Sequence, residues 1–274
     1  MSMIEAVILG LLQGVSEFLP VSSSGHLLLA KRWFGLAEIP ILFDLALHLA
    51  TLGAVVLLFR QTIARLFLVL IRWVARKSLP SDRSDLSYIA LILIATMITA
   101  VMGLLLKDLA LPARLVYAGF LYTSTLLIIS TRFIKRGEVS EPIGEAGWLG
   151  NTLRGIIIGF LQGLAVLPGI SRSGSTISGA LFCGITRERA GELSFLLSIP
   201  AIVGGFILTL REGQGEDLLA QMDLLPLLVA LVVAFASGYF ALRLLMRLVK
   251  EMKLHYFAFY LIPLAILGLF GILP

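Results

Sequence analysis

The sequence predicts an all-α integral membrane protein: six transmembrane helices plus two re-entrant helical hairpins in an inverted-topology repeat. Three observations lead there: a composition too apolar for water, six long stretches without charge, and two broken apolar segments that share a motif. Of the 274 residues 58% are apolar and 14% charged, against roughly 25% charged in a soluble domain, and the mean hydropathy is +0.99. Too little polar surface remains to wrap a watery globule, so a conventional soluble enzyme is excluded. The single cysteine, Cys183, rules out a disulfide framework and Cys-rich metal sites, and three histidines argue against a zinc cluster. A net charge of +5 would suggest nucleic acid in a soluble protein. In a membrane protein it marks cytoplasmic loops, and no nucleic-acid partner is expected.

A spanning helix needs ~20 largely apolar residues. Residues 6–30 do not supply one, because Glu17, Pro20, three serines and Gly25 interrupt them. Proline ends a helix and Ser or Gly starts the next, so residues 3–34 read as a re-entrant hairpin. Glu5 stands where a cleavable leader would be basic, which argues against one. Three spans follow, Leu45–Phe59, Leu86–Leu106 and Leu115–Thr131, closing a first repeat over residues 1–135. Pro168, Gly169 and Arg172 break residues 155–186 in the same way, giving a second hairpin over 152–185. The spans Leu193–Leu210, Leu224–Leu242 and Leu254–Pro274 complete a second repeat over 150–274, and the whole is one membrane domain, 1–274.

Loop charge sets the orientation. The loop Arg60–Ser87 holds Arg60, Arg65, Arg72, Arg76, Lys77 and Arg83; Arg132–Arg154 holds four cations; Arg243–His255 holds Arg243, Arg247, Lys250 and Lys253. These are expected in the cytoplasm. The short Lys107–Arg114 and the acid-rich Arg211–Asp223 are expected outside, and Lys31 and Arg32 count against the scheme. Trp33, Trp73 and Trp148 fall near span ends as interfacial anchors. The first hairpin then enters from outside and the second from inside.

Residues 10–25 laid over 159–174, an offset of 149, give seven identities, among them Gln13/Gln162, Ser22/Ser171, Ser24/Ser173 and Gly25/Gly174. In inverted repeats such broken helices meet near the bilayer midplane and form the binding site. Ser-rich turns at the start of a returning half-helix aim unpaired N–H groups inward, an anion site suited to phosphate. Gln13 and Glu17, at i and i+4, share one face of the first arm, and Ser22, Ser23, Ser24 and His26 follow. The second tip adds Arg172 between Ser171 and Ser173, with Thr176 a turn on. A guanidinium binds phosphoryl oxygens bidentately, and a hydroxyl beside an imidazole, Ser23 and His26 at i, i+3, is the minimum for an activated nucleophile.

Each group also has a plainer role. The serines serve as N-caps and His26 as a hydrogen-bonded core residue. Glu17 and Arg172 differ, because charge at membrane depth is functional or paired, and a buried Glu17–Arg172 bridge would fasten the repeats together. Asp44 and His48, near the outer end of the third helical segment, have two readings, support of the site from behind or, the favoured one, an interfacial cap and a packed polar residue; Glu192 reads as a partner for Arg187 or Arg189, and Cys183 as a small core residue.

Gln13-Gly-Val-Ser-Glu17 followed by Phe18-Leu-Pro-Val-Ser-Ser-Ser-Gly-His26 resembles the (E/Q)xxxE and FLPVSS(S/T)GH signature of the bacterial undecaprenyl-diphosphatases, the bacitracin-resistance family. Pro168-Gly-Ile-Ser-Arg-Ser-Gly-Ser-Thr176 resembles that family's PGxSRSxxT motif, and the resemblance covers essentially the whole chain. It implies an inner-membrane hydrolase converting undecaprenyl diphosphate to undecaprenyl phosphate and inorganic phosphate; the first hairpin's entry from outside points to a site on the periplasmic or extracellular side. Ser23, His26, Arg172 and Glu17 match residues implicated in catalysis. Gln13, Ser22, Ser24, Ser171, Ser173 and Thr176 lie in the motif surroundings as phosphate ligands.

The family is described as dependent on a divalent cation, Mg²⁺ or Ca²⁺, with Glu17 as its ligand here; Gln13 stands where many members have Glu. The expected mechanism has Ser23 attack the terminal phosphorus with help from His26. Its rival has His26 or Glu17 activate water. The partners implied are a polyprenyl diphosphate and membrane lipid, with a homodimer left open. Broken-helix inverted repeats also suit a transporter or flippase of a phosphorylated lipid or other anion.

Overall fold

The computed structural model describes residues 1–36, 41–106, 109, 114–133, 147–211 and 223–273, and among these every regular element is helical. The first hairpin is α1 (Met3–Phe18) and α2 (Ser23–Trp33). Helix α1 opens on a capping box: Ser2 Oγ accepts from the Glu5 N–H, and the Ser2 N–H donates to Glu5 Oε2 at 2.6 Å. That second bond holds the Glu5 carboxyl below its ordinary range. The helix stops at Phe18 because Pro20 cannot continue it. The second hairpin is α7 (Gly147–Leu164) and α8 (Arg172–Phe182), its first arm starting five residues before the expected 152.

Between and after the hairpins run α3 (Ile41–Leu58), α4 (Arg60–Val74), α5 (Arg83–Leu106), α6 (Leu115–Phe133), α9 (Arg187–Arg211), α10 (Leu224–Lys250) and α11 (Tyr256–Leu269). Four of the expected spans are helices long and apolar enough to cross a membrane: α5, α6, α9 and α10. Helix α3 meets that test together with α4, from which it is bent by 81°, and α11 is a shorter apolar helix. The outer faces of α5 and α10 expose Leu93, Met97, Val101, Leu105, Val232 and Phe240. Such belts are untenable in water and ordinary against lipid.

Three loop assignments change. The expected loop Arg60–Ser87 contains α4 and a 3₁₀ turn at Pro80–Asp82 before α5 begins at Arg83. Helix α4 is amphipathic: it buries Leu66 and Val69, exposes Phe67, Leu68, Ile71 and Trp73, and ties Arg72 to Asp82 (2.9 Å) and Arg65 to Asp85 (3.2 Å). Helix α10 runs on to Lys250, so Arg243 and Arg247 are helical and the loop shrinks to 251–255. Arg154, counted among loop cations, is buried on α7, where its Nε–H donates to the Cys183 carbonyl at 3.1 Å. Residues 110–113, 134–146 and 212–222, which carried much of the orientation argument, lie outside the described residues, as does Pro274. Lys31, the count against that argument, is buried in an ion pair with Asp44 at 2.8 Å. All three tryptophans are exposed, as anchors should be.

The packing crosses between the halves. The first arm of each hairpin lies on the second long helix of the opposite half, α1 on α10 and α7 on α5. Small residues allow the close approach: a β-carbon on Gly14 would stand 2.8 Å from the Gly238 nitrogen, and one on Gly159 would stand 2.6 Å from the Ala95 carbonyl oxygen. Helices α3 and α9 pack together, as do α6 and α11, where Tyr117 and Phe120 meet Leu261 and Ala265. The two hairpin tips are thereby driven toward each other.

Candidate active site

The tips are capped alike. Ser22 Oγ accepts from the Gly25 N–H (3.4 Å) and lies 3.3 Å from Ser24 Oγ; Ser171 Oγ accepts from the Gly174 N–H (3.1 Å) and lies 3.2 Å from Ser173 Oγ. They also interlock. A β-carbon on Gly25 would meet Gly169 Cα at 3.1 Å, and one on Gly174 would meet Pro20 Cβ at 3.2 Å. These contacts obey the offset of 149 found in the sequence. Both helix starts, Ser23 of α2 and Arg172 of α8, therefore face one small space with their dipoles' positive ends.

Glu17 is the hub of that space. Its carboxylate is nearly inaccessible, and Oε2 accepts from Ser23 Oγ (2.6 Å) and Gln13 Nε2 (3.1 Å), with His48 Nε2 at 3.3 Å. Oε1 takes a guanidinium N–H of Arg172. A carboxylate buried in an apolar bundle needs such a shell, because an unpaired charge there costs several kcal/mol. The pocket beside it is lined by Glu17, Phe18, Arg172, Ser173, Ser194 and Ser198 with Phe195.

The structure brings Gln13, Glu17, Ser23 and Arg172 into direct contact and sets the remaining residues around them. Ser22, Ser171 and Ser173 are buried caps and braces, Ser173 Oγ donating to the Leu19 carbonyl at 3.4 Å, while Ser24 is exposed. Thr176 bonds the Arg172 carbonyl (2.8 Å) and lies 2.6 Å from Ser194 Oγ, one helix removed from Glu17. His26 is near but does not pair with Ser23 as expected: Nδ1 lies 2.8 Å from the Ser22 carbonyl oxygen and Nε2 lies 2.8 Å from Tyr260 Oη. The residue touching the Ser23 hydroxyl is Glu17.

Asp44 pairs with Lys31 instead of capping, His48 reaches Glu17, and Glu192 bonds Arg189 at 3.0 Å. His48 takes the supporting role that is its less favoured reading from sequence, and three contributors escaped the sequence: Ser194 and Ser198 on α9, and Tyr260. The two serines had a signal, since they sit at i and i+4 in an otherwise apolar span and so share a face. Tyr260 had none.

Among the described residues no three His, Cys, Asp or Glu side chains gather as a metal-binding group. A hard cation is still compatible with the donors present. Gln13 Oε1 is buried without a hydrogen-bond partner one turn from Glu17, so these two residues are the ones that would hold such an ion through oxygen, the donor a hard cation prefers.

Fold and cluster together define a polytopic α-helical membrane protein with a buried pocket in which a carboxylate, a guanidinium and several hydroxyls converge. Comparison with known proteins gives the particular family. The model of the family described as bacitracin resistance protein BacA matches residues 6–267, and the chain belongs to it. It is 49% identical to the undecaprenyl-diphosphatase of Treponema denticola, over 97% of this chain and 96% of that one. It is 41% identical to that of Desulforapulum autotrophicum (95% of each) and 36% identical to that of Borrelia recurrentis (98% of each).

Proposed function

We propose that this protein is an undecaprenyl-diphosphate phosphatase: it hydrolyses undecaprenyl diphosphate to undecaprenyl phosphate and inorganic phosphate, returning the carrier lipid for cell-wall synthesis and giving resistance to bacitracin. The observation that carries the reading is the Ser23 hydroxyl 2.6 Å from a buried carboxylate that also holds Arg172. A carrier of the lipid needs the cation and the helix dipoles but has no use for a hydroxyl poised on a base. The names of the relatives point the same way.

The incoming terminal phosphate takes the Arg172 guanidinium and the N–H groups at the starts of α2 and α8, displacing Glu17 Oε1 from the ion pair. Glu17 Oε2 accepts the Ser23 proton as Oγ attacks the terminal phosphorus, and the bond from that phosphorus to the bridging oxygen breaks. Undecaprenyl phosphate leaves with the bridging oxygen. The departing undecaprenyl phosphate takes the proton from Glu17, so the carboxylate can accept a proton from the water that attacks the phosphoserine, and that proton returns to Ser23 Oγ as inorganic phosphate leaves. Most of the acceleration is electrostatic positioning by Arg172 and the backbone donors, as phosphoryl transfer requires. Mg²⁺ or Ca²⁺, held by Glu17 and Gln13 Oε1, would neutralise diphosphate charge. Ser22, Ser24, Ser171, Ser173 and Thr176 shape the phosphate-binding turns, and His26 supports the first one.

The halves read as an inverted repeat with the site on the outer side of the inner membrane and the isoprenoid tail left in lipid. The exchange of α1 and α7 between halves and the shared tip contacts support the repeat. The test is phosphate release from a polyprenyl diphosphate labelled on the terminal phosphorus. Wild type releases label and accumulates it transiently on Ser23 after rapid quenching, whereas Arg172→Ala does neither. If Ser23→Ala turns over normally and no label is ever trapped, the covalent step is wrong and Glu17 activates water. Binding without any release would mark a carrier.

A further inference from the structure

His26 is held by both ring nitrogens, and neither faces Ser23. A carbonyl oxygen can only accept, so the nitrogen 2.8 Å from Ser22 C=O, Nδ1, carries the hydrogen. In the neutral ring Nε2 is then the acceptor, and the group that donates to it is the Tyr260 hydroxyl at 2.8 Å, contributed by α11 from 234 residues away. Phe120 packs on the ring at a centroid distance of 5.1 Å, and the Tyr260 ring lies within 21° of its plane.

What this clamp grips is the strained point of the first tip. Ser22 has φ +69°, a left-handed conformation that side-chain-bearing residues rarely adopt. Its offset partner Ser171 sits at an ordinary φ of −77°. The Ser22 carbonyl accepts from the His26 backbone N–H (3.2 Å) and from the ring, while Ser22 Oγ caps α2. The ring therefore pins the turn that delivers Ser23 to Glu17.

We propose that Tyr260 is a positioning residue: its hydroxyl fixes the tautomer and orientation of His26, and through that ring the Ser22 turn that aims Ser23 at Glu17. The inference rests on the hydrolase reading of the same site. Tyr260→Phe removes the hydroxyl and keeps the ring, and Tyr256→Phe on the same helix serves as the control. With three histidines in the chain, ¹⁵N-histidine spectra resolve His26, assigned by its loss in His26→Ala.

In wild type and Tyr256→Phe the signal is that of the Nδ1–H tautomer with a hydrogen-bonded Nε2. In Tyr260→Phe it moves to an unbonded or mixed state, and kcat falls about 3- to 10-fold, the size of one neutral hydrogen bond, with KM within about twofold. A wild-type kcat in Tyr260→Phe, or a loss of kcat with the His26 signal unmoved, overturns the proposal. If Tyr260→Phe fails to purify folded, the wild-type spectrum decides: a His26 signal of the Nε2–H tautomer, or one with Nε2 unbonded, overturns the proposal. Wild type that releases no phosphate from the diphosphate overturns the hydrolase reading, an outcome distinct from an active wild type matched by Tyr260→Phe.

Discussion

The two hairpin tips share caps, interlocking contacts and even an orphaned Gln oxygen, Gln13 Oε1 in one and Gln162 Oε1 in the other, yet they carry opposite chemistry. Gln13 Nε2 donates to Glu17, but the residue four beyond Gln162 is Val166, and Gln162 Nε2 donates to Thr99 Oγ1 at 3.0 Å instead. The residue that opens the returning helix is Ser23 in the first tip and Arg172 in the second. A common frame thus supplies two serine-capped helix starts, and differences at a few matching sites put a carboxylate and the hydroxyl it holds on one side and the cation on the other. The lesson is that the frame sets geometry and the asymmetry sets which charges meet in it.

The comparison breaks most visibly at Arg172. Arg172→Ala should lower phosphate release by about 10³-fold, the loss of one electrostatic clamp on the transferring group. It should also destabilise the fold by about 3–5 kcal/mol, since Glu17 is left buried without its countercharge; steady-state rates and a thermal melt in detergent read both. Arg172→Lys should recover part of the stability but less of the rate, because an ammonium lacks the planar fork. Glu17→Gln comes next, with about a 10²-fold fall in kcat for loss of a general base and a smaller cost in stability, because the Arg172 guanidinium it strands is 20% exposed where the Glu17 side chain is 2%. Ser198→Ala, at the pocket wall, should raise KM by about 2- to 10-fold, one hydrogen bond's worth.

The frame itself is probed by glycine. Gly14→Ala drives a methyl against the backbone of α10, 2.5 Å from the Ala234 carbonyl oxygen, and should cost about 1–3 kcal/mol, a melting shift of several degrees. Gly163→Ala puts its methyl 2.4 Å from Met102 Cβ, the fixed root of that side chain, and should cost a similar amount. A much smaller melting shift at Gly163 would mean the two arms are not seated alike, against the packing described.

Much of this was legible because membranes make sequence rules strict. Charge at depth is rare, so Glu17 and Arg172 stood out and their pairing could be anticipated; proline and serine in apolar runs located both turns. Helix α4 was missed because its cations were read for orientation alone, although Arg65 and Arg72 recur seven residues apart beside buried Leu66 and Val69. The expected Ser23–His26 pair failed for a reason no spacing reveals: residues at i and i+3 meet on a regular helix, but Ser22's positive φ gives the His26 ring a carbonyl to bond, and Glu17 reaches Ser23 first. Tyr260 could not be found from sequence at all, since one tyrosine in an apolar helix carries no periodic signal.

The Glu17–Arg172 pair also has a bearing on synthesis. The carboxylate emerges from the ribosome long before its guanidinium, and until residue 172 arrives the first hairpin has no countercharge that would let Glu17 rest inside lipid. Seating of the tip is thus tied to the late half of the chain. A truncated product carries Glu17 and Ser23 without Arg172, the guanidinium that balances that carboxylate.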